Sequence, residues 1–253
     1  METLLEVRFD WGTVGDFLFN PVILKGLRTT LQIAALAMVL GIVLGIVLGV
    51  MRVSRSPFAS GAASLYVWFW RGTPVVLQLL LMYFGLRQVF ENDTFRENWT
   101  PFRAAVITFA LNEAAYMAEI VRGGILSVEA GQMDAAKSLG MRNLQAMRRV
   151  ILPQSLRVVV PPTGNEFIAM LKNTSVAFAI AIVELTNAAR IQAARNFQSM
   201  ELYTVAAFWY LVVVTVFSFL QAEVERLLTA GERDRPQTLF SRAMAIMGSG
   251  RGM

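Results

Sequence analysis

The sequence predicts an all-α membrane protein with five transmembrane helices. Hydrophobic residues make up 55% of the chain and charged residues only 16%, whereas about a quarter of a soluble domain is charged. Two segments, residues 29–51 and 203–222, contain no charged residue, and each is long enough to cross a bilayer as a helix. A helix pairs its own backbone groups, so it is the expected spanning element in lipid.

Three further apolar segments lie between these two, at residues 62–90, 104–121 and 158–183, and bring the expected number of spans to five. The first of the three is interrupted by Arg71-Gly72-Thr73-Pro74, and the last contains Pro161-Pro162. Because proline lacks a backbone donor and clashes with the preceding turn, we expect a helix break near the start of the fourth span.

The basic residues predict an external N-terminus and a cytoplasmic C-terminus. An odd number of spans puts the termini on opposite sides, and Lys and Arg collect on the cytoplasmic side. With the N-terminus outside, the cytoplasmic segments contain most of the basic residues. These are Arg52, Arg55, Arg122, Lys137, Arg142, Arg148, Arg149, Arg157, Arg226, Arg233, Arg235, Arg242 and Arg251. We therefore predict an external segment at 1–21, a transmembrane domain at 22–228 and a cytoplasmic tail at 229–253.

Missing residue types exclude several kinds of chemistry. The chain contains no cysteine and no histidine, which excludes disulfides, thiolate metal sites and the usual proton shuttle. It has no Gly-Lys pair, so it lacks the phosphate-binding loop of ATPases. We assign the net charge of +5 to membrane topology rather than to nucleic acid. We expect no metal, no cofactor and no catalytic residue in this chain.

Residues 134–153, DAAKSLGMRNLQAMRRVILP, form a polar stretch in an otherwise apolar chain. Apolar and small residues recur there at gaps of three and four, which predicts an amphipathic helix in a cytoplasmic loop at about residues 122–155. They are Met133, Ala136, Gly140, Leu144, Met147 and Ile151. Periodicity alone favours a helix that lies on the membrane surface or packs on its own protein.

The finer spacing of this stretch resembles the EAA loop of the transmembrane permease subunits of ABC importers. The family pattern is Glu-Ala-Ala, three residues, Gly, nine residues, Ile, one residue and Leu-Pro. Here Asp134-Ala135-Ala136, Gly140, Val150 and Leu152-Pro153 stand at those positions, with Asp in place of Glu and Val in place of Ile.

The resemblance implies a coupling helix that docks into a groove on a separate ATPase subunit, which binds the ATP and Mg. Small Ala135 and Ala136 would allow close approach, and Asp134 could pair with a basic residue of the ATPase. Gly140 would permit a sharp turn after the helix. Pro153 would stop the helix before the fourth span.

Three other motifs resemble the polar amino acid uptake group of these permeases. They are Arg71-Gly72-Thr73-Pro74 followed by Gln78, Ala115-Tyr116-Met117-Ala118-Glu119-Ile120 followed by Arg122-Gly123-Gly124-Ile125, and Leu171-Lys172-Asn173-Thr174-Ser175. The resemblance implies an amino acid substrate, an ABC ATPase dimer inside, a substrate-binding protein outside, and a second permease copy or a sister permease. It also implies a multi-pass protein in contact with lipid in a bacterial cytoplasmic membrane.

Charged residues within the expected spans are the candidates for a substrate path, because charge inside a membrane is costly. Arg71 and Lys172 could hold a substrate carboxylate. Glu113 or Glu166 could hold its ammonium group. The polar residues that complete the candidate path are Asn165, Asn173, Thr174 and Ser175. The alternative is structural: Arg71 could reach the bilayer edge, and Lys172 could pair with Glu166.

Two further predictions concern packing. Glu119 and Arg122, three residues apart, are expected to pair on one helix face. Gly41, Gly45 and Gly49 lie on one face of the first span, where small residues let helices approach closely. We favour packing within the chain over a dedicated dimer face.

Other functions fit the sequence less well. A permease for another small solute, such as a betaine or a sulfur compound, is the alternative within the same class. An ion-coupled secondary transporter would need internal repeats and often a proton-relay residue. A membrane enzyme would need acids grouped into a nucleophile or metal constellation.

Overall fold

The computed structural model describes residues 9–229, and all regular structure in that range is helical. The helices are α1 Trp11–Leu18, α2 Pro21–Arg52, α3 Pro57–Gly72, α4 Val75–Val89, α5 Asp93–Asn98, α6 Pro101–Leu126, α7 Ala130–Ser138, α8 Asn143–Ile180, α9 Leu185–Asn196 and α10 Ser199–Thr229. α4 and α8 contain π-helical turns at Leu81–Gly85 and Met147–Ile151, and α8 ends in a 3-10 turn at Thr174–Ile180. Almost all of the tail expected at 229–253, and residues 1–8 of the segment expected at 1–21, lie outside the described residues.

Three helices, α2, α6 and α10, are long and apolar enough to cross a membrane. Two pairs of helices pass the same criterion together but are bent, by 103° between α3 and α4 and by 51° between α8 and α9. The number of spans is therefore three, or up to five if each bent pair crosses once. The expectation of an all-helical membrane protein is confirmed.

Three of the long helices begin with the same local signal, a capping residue followed by proline. The side chain of the capping residue accepts a hydrogen bond from a backbone N–H of the first turn. Proline is favoured at the first helical position, because a backbone N–H at that position would have no partner in the helix. The pairs are Asn20-Pro21 in α2, Ser56-Pro57 in α3 and Thr100-Pro101 in α6. The sequence thus fixes where these helices start.

The glycines of α2 allow it to pack tightly against α6. A Cβ atom at Gly45 would lie 2.3 Å from the Cβ of Met117, and one at Gly49 would lie 2.7 Å from the Cβ of Val121. One turn earlier, a Cβ at Gly41 would lie 2.7 Å from the Cγ of Glu113. The prediction that these glycines pack within the chain is confirmed. Because the pairing keeps a constant offset along both helices, α2 and α6 run parallel.

The other long helices take definite directions relative to α6. α8 is antiparallel to it, since Val159 packs at Gly124 while Phe167, further along α8, packs near Met117, which is earlier in α6. α10 runs antiparallel to α8, since its Gln221 donates to the carbonyl of Pro161 while Phe217, earlier in α10, packs against Phe167, later in α8.

The interruption expected at Arg71-Gly72-Thr73-Pro74 is the corner between α3 and α4. Gln78 is buried at this corner, and its Nε2 donates to the Trp70 carbonyl at 2.8 Å and to the Thr73 hydroxyl at 2.7 Å. Asn112 of α6 donates both to the oxygen of the Gln78 side chain and to the same carbonyl. A buried amide network therefore fixes the bend on α6, because backbone groups freed in lipid need internal partners.

The expected break at Pro161-Pro162 is wrong, since helical structure continues through both prolines to Asn173. Prolines are tolerated within a membrane helix where neighbouring groups satisfy the disturbed backbone. Here Gln221 of α10 donates to the Pro161 carbonyl and holds this part of α8 against α10, and the Thr163 hydroxyl donates to the Val159 carbonyl. The carbonyls that lose their helical donors are those of Arg157 and Val158. The chain leaves α8 later, at Ala181, which has a left-handed conformation with φ 62°.

Candidate functional site

Glu119 of α6 lies among three guanidinium groups. Arg52, at the end of α2, pairs with its Oε1, and the Nε of Arg122 lies 2.9 Å from its Oε2. A terminal nitrogen of Arg71 lies 3.6 Å from Oε1. The predicted Glu119–Arg122 pair is confirmed. The other two arginines were not expected there, because they are distant in sequence.

Arg71 is the most loosely held of the three arginines. It is at the end of α3, its side chain is 44% exposed, and its contact with Glu119 is the longest of the three. Its guanidinium also stands over the ring of Tyr116, 5.1 Å from the ring centroid. An open cavity of about 380 Å³ adjoins it, lined by Arg52, Ser64, Val67, Trp68, Arg71, Gly72 and Glu119. Arg71 therefore keeps donor capacity for a further anion.

Glu113 is a carboxylate in the packed interior. Its residue is 3% exposed, and its side chain occupies the space that the missing Cβ of Gly41 leaves on α2. Among the described residues, its Oε1 has no hydrogen-bond partner. An unpaired polar atom in such a place costs stability.

Glu166 of α8 faces the same region and is half-buried. The neighbouring Phe167 packs against the cluster that contains Met117, one turn after Glu113, so this part of α8 lies against the part of α6 that carries Glu113. Asn173 is two turns further along α8 and, at a spacing of seven residues, lies on the same face. The structure thus places the segment of α8 around Glu166 against α6 near Glu113, while Arg71 lies beside Tyr116 and Glu119 of α6.

The remaining candidates of α8 lie elsewhere. Asn165 is exposed, and its side-chain oxygen accepts a hydrogen bond of 3.1 Å from Gln221 of α10. Lys172 is exposed and forms no ion pair with any residue in the range 9–229, so the alternative pairing with Glu166 is not formed there. Thr174 is buried and donates to the Leu171 carbonyl of its own helix at 2.9 Å. Ser175 is half-buried beside it.

The polar loop folds as the short helix α7, a sharp turn and the start of α8. Gly140 has φ +80° in this turn. Its N–H donates to the Lys137 carbonyl at 2.8 Å, while the Met141 N–H donates to the Ala136 carbonyl at 3.1 Å. This pair of bonds is the Schellman motif, which ends helices and favours glycine at the left-handed position. The expected sharp turn at Gly140 is confirmed.

The outer surface of this turn is exposed and carries apolar residues. Asp134 and Ala135 are exposed, whereas Ala136 is buried against the protein. Leu139 and Leu144, on the two sides of the turn, are each 80% exposed. Large apolar side chains that project from a polar loop are typical of a contact surface.

The expectation that Pro153 would stop the helix is wrong. Pro153 lies in the first turn of the segment Leu152–Asn173, and helical structure runs into it from Asn143. The π-helical turn Met147–Ile151 widens the helix just before the proline, and the Gln154 side chain donates to the Val150 carbonyl at 3.1 Å. A wider turn accommodates the ring and the missing N–H that would disrupt an α-helix at that point.

One buried acid, Glu184, was not singled out from the sequence. It caps α9, where its carboxylate accepts from the Thr186 and Asn187 backbone N–H groups at 2.8 and 2.7 Å. The Tyr210 hydroxyl of α10 donates to it at 3.2 Å. Glu184 is fully paired and holds α9 to α10. Its only sequence signal is an acid just before a helix, which is weak because Glu is not a favoured capping residue.

The described residues contain no group of three or more acidic side chains that could hold a metal ion. The bundle has two bent helix pairs, charged side chains on interior helices and an exposed polar loop. These features define the class of helical membrane proteins with a polar interior. Comparison with known proteins specifies the family within that class.

The chain matches the family described as binding-protein-dependent transport system inner membrane component over residues 41–229. It is 40% identical over 252 residues to the arginine transport system permease protein ArgU of Corynebacterium glutamicum, covering 96% of this chain and 79% of the relative. It is 36% identical over 220 residues to the glutamine transport system permease protein GlnP of Escherichia coli K12, covering 87% of this chain and 98% of the relative.

A solved structure of an amino acid ABC transporter with histidines superposes with a TM-score of 0.78 at 37% identity, covering 87% of this chain and 99% of that one. The chain belongs to the family of inner membrane components of binding-protein-dependent transport systems. It is the membrane component of such a system and not its ATPase.

Proposed function

We infer that the chain is the permease of an ATP-driven importer that moves polar amino acids across a bacterial cytoplasmic membrane. The observation that carries this conclusion is the family match over residues 41–229, together with side chains of both signs on helices that pack against α6, Arg71 on α3 and Glu166 on α8. A zwitterion needs a cation and an anion at its two ends, and both signs are present there. The relatives transport arginine and glutamine, which agrees with this substrate class.

We propose that the chain crosses the membrane five times, with residues 1–21 outside, a transmembrane domain at 22–228 and a cytoplasmic tail at 229–253. The helix directions support this arrangement. α2 and α6 run parallel, so a chain that leaves the membrane after α2 must cross back before α6, and the bent pair α3–α4 is the segment that can do so. α8 and α10 then add two crossings in opposite directions.

Reporter fusions test this topology. A reporter active only outside the membrane, joined after Asp93, and one active only in the cytoplasm, joined after Gln145, should both give signal. The exchanged pair of reporters serves as the control and should be silent. Signal from the exchanged pair alone would invert the topology and place the polar loop on the wrong side for an ATPase.

We propose that α7 and the turn at Gly140 form the coupling element that docks on an ATPase dimer. Asp134 and Ala135 on its surface, and Leu139 beside the turn, are available to a partner, while Ala136 anchors the element on the permease. The importer would contain two permeases, either two copies or a sister pair, and an extracytoplasmic binding protein. ATP binding to the ATPase would draw the two coupling elements together and switch the path between inward and outward access.

Two valine variants test the coupling element. Gly140→Val should disrupt the turn, because a β-branched residue is strained at φ +80°. Gly15→Val on α1, outside the coupling element and with no atom within 4 Å of its added Cβ, is the matched control. We expect Gly140→Val alone to reduce copurification of the ATPase and uptake, at normal membrane levels of the permease. Normal uptake by Gly140→Val would refute the coupling role.

We propose that the substrate path runs along the face of α8 that carries Glu166 and Asn173, opposite Arg71. Four further residues of α8 would line this path, either where the second permease contributes to it or at its external end. They are Asn165, Lys172, Thr174 and Ser175. Arg71 would hold the substrate carboxylate, because its contact with Glu119 is long and its side chain is half-exposed. Glu166 would hold the ammonium group.

Uptake by the reconstituted complex tests the function as a whole. The permease, its ATPase and its binding protein are incorporated into liposomes, and ATP-dependent uptake is measured with labelled polar amino acids, with glycine betaine as the rival substrate. We expect amino acid uptake that needs both ATP and the binding protein. Uptake of the betaine alone, or uptake driven by an ion gradient without ATP, would overturn the assignment.

A further inference from the structure

An exposed groove of about 360 Å³ runs between α2 and α6. Its walls are apolar except for one guanidinium group, and they are formed by Leu36, Val39, Leu40, Phe102, Arg103, Val106 and Ile107. On the α2 side, the exposed fraction ranges from 48% at Leu36 to 61% at Val39. Exposed apolar surface of this kind is a contact surface for lipid or for another protein. The groove therefore takes either an acyl chain or a helix of a partner.

Two arginines stand at the end of the groove where both helices begin. The register that sets Gly45 against Met117 also sets Leu31 of α2 level with Arg103 of α6. Arg28 is about one turn nearer to the start of α2 than Leu31 is. Each helix therefore contributes one cation to the same end of the groove.

Both arginines also lie at the depth of lipid headgroups. Residues 29–51 of α2 and 104–112 of α6 contain no charged residue, and Arg28 and Arg103 come directly before these segments. Arg28 shares an exposed face of α2 with Val39, which is about three full turns further along. Phospholipid phosphates border the hydrocarbon core, so a lipid whose chain lies in the groove has its phosphate beside these arginines.

The two guanidinium groups keep donors for an anion. Both side chains are exposed, and neither forms an ion pair with a residue in the range 9–229. The Nη1 of Arg103 donates to the Asn98 carbonyl at 2.7 Å and to the Asn98 side-chain oxygen at 3.1 Å. These bonds orient the group and leave its Nε and Nη2 for a ligand. The planar guanidinium matches phosphate oxygens through paired hydrogen bonds.

A phospholipid fits this groove better than a second copy of the chain does. α2, from Pro21 to Arg52, contains no Asp or Glu. A copy packed on this face about a two-fold axis would set the same arginines against one another, and like charges across an interface are unfavourable. A phospholipid matches both parts of the groove, because its chain is apolar and its phosphate is an anion. A headgroup without an ammonium group suits two arginines best.

We propose that the groove between α2 and α6 binds one phospholipid of net negative charge. An acyl chain lies along the apolar walls, and Arg28 and Arg103 hold the phosphate. This ligand lies outside the substrate path, so the site does not depend on which solute is imported. Because the lipid contacts both helices, its binding stabilises the folded permease by mass action.

Native mass spectrometry of the delipidated permease–ATPase complex tests the site. Phosphatidylglycerol or phosphatidylcholine with the same acyl chains is added, and the bound lipids are counted. We expect one phosphatidylglycerol per permease to bind at least about tenfold more tightly than phosphatidylcholine, as two arginines beside an anionic headgroup should give. The double variant Arg28→Gln/Arg103→Gln should lose this tight site. Arg195→Gln on α9, also exposed but outside the groove, is the control and should retain it.

Two labelling experiments locate the lipid and distinguish it from a second permease. Phosphatidylglycerol with a photoreactive group in its acyl chain should label residues 36–40 and 102–107, and unlabelled phosphatidylglycerol should displace it better than phosphatidylcholine does. The chain contains no cysteine, so Val39→Cys places a single thiol in the groove. Oxidation of this variant should give no disulfide-linked permease pair.

Three results would overturn the proposal. A disulfide-linked pair in Val39→Cys would mean that a second copy covers the groove. Equal affinity of the wild type for the two lipids would exclude a site for net negative charge. An unchanged tight site in the folded double variant would exclude the two arginines. If the double variant does not assemble, photolabelling of the wild type decides, since label absent from the groove contradicts the site.

Discussion

α6 and α10 are both long enough to cross a membrane, but α6 is mostly buried in the bundle whereas α10 is mostly exposed on its surface. Over the 18-residue segment of each helix that best fits a membrane span, mean hydropathy is 1.3 in α6 and 2.0 in α10. However, 67% of that segment is buried in α6 and only 11% in α10. α6 carries Glu113, Glu119 and Arg122, whereas the exposed residues of α10 include Leu211 and Phe219. The less apolar helix lies at the centre of the bundle.

The contrast shows that burial in this protein follows packing and polarity rather than hydropathy. Lipid is as apolar as leucine, so an apolar helix gains little by leaving it, whereas small residues pack closely and polar residues find partners inside. α6 supplies the small residues; those fully buried are Ala104, Ala105, Ala114, Ala115 and Ala118. Four experiments with variants follow from this account, in order of decreasing expected effect.

The largest effect is expected where α6 meets the glycines of α2. Gly45→Leu should prevent folding, because even a Cβ atom there would lie 2.3 Å from Met117. Gly61→Leu on α3, with no atom within 4 Å of its added Cβ, is the control. Size-exclusion chromatography after detergent extraction should give a folded peak for Gly61→Leu only. A normal peak for Gly45→Leu would mean that α2 and α6 are not in close contact.

A smaller effect is expected for truncated phenylalanines. Phe109 of α6 is 1% exposed and Phe219 of α10 is 58% exposed. Phe109→Ala should lower stability by about 3–5 kcal/mol, through lost contacts and a cavity. Phe219→Ala should change it far less, because lipid replaces the lost contacts. Thermal unfolding in detergent measures both, and equal losses would contradict the contrast between the two helices.

The carboxylates should differ in the same direction. Glu119→Gln leaves three arginines without their common anion, and loss of charged hydrogen bonds of about 1.5–3 kcal/mol should lower the melting temperature by several degrees. Glu223→Gln on α10 removes an exposed pair with Arg226, which should have little effect. A stable Glu119→Gln variant would show that the arginine cluster does not hold α2, α3 and α6 together.

The smallest effect is expected at Asp10, which caps α1 outside the spans. Hydrogen bonds from the Thr13 hydroxyl and the Gly12 N–H lower the pKa of this carboxyl below its ordinary value. Its contribution to stability is therefore complete above the pKa of the unfolded chain and is lost as pH falls through the lower folded pKa. Wild type and Asp10→Ala should differ in melting temperature at pH 6, and the difference should shrink as pH falls below the ordinary pKa of an aspartate. A constant difference would exclude this cap.

The parts of the fold that were predictable from sequence depend on local signals. Uncharged segments revealed α2 and α10, Thr73-Pro74 marked the corner after α3, and Gly140 marked the sharp turn after α7. Each of these follows from neighbouring residues alone. The errors at Pro153 and Pro161 arose because a π-helical turn and the packing of α10 against α8 are not visible in the local pattern.

The candidate site was less accessible to sequence reasoning. Charged residues could be chosen as candidates, because charge within a span is costly. The side chains that each of them contacts could not be predicted. Arg52 joined Glu119 only through the parallel packing of α2 and α6, and Lys172 proved to be on an exposed face rather than beside Glu166. Such pairings depend on helix directions and rotations, which are set by packing between helices that are distant in sequence.

The most direct test of the account is ATP-driven uptake by the complex with Glu166→Gln. The substitution keeps the size of the side chain and removes the charge proposed to hold the substrate ammonium group. Loss of a buried charge partner costs about 2–5 kcal/mol, so substrate affinity should fall about 30-fold or more, while the complex assembles and hydrolyses ATP at its basal rate. Uptake at the wild-type rate and affinity by an intact Glu166→Gln complex would show that the polar interior of α6 and α8 does not carry the substrate.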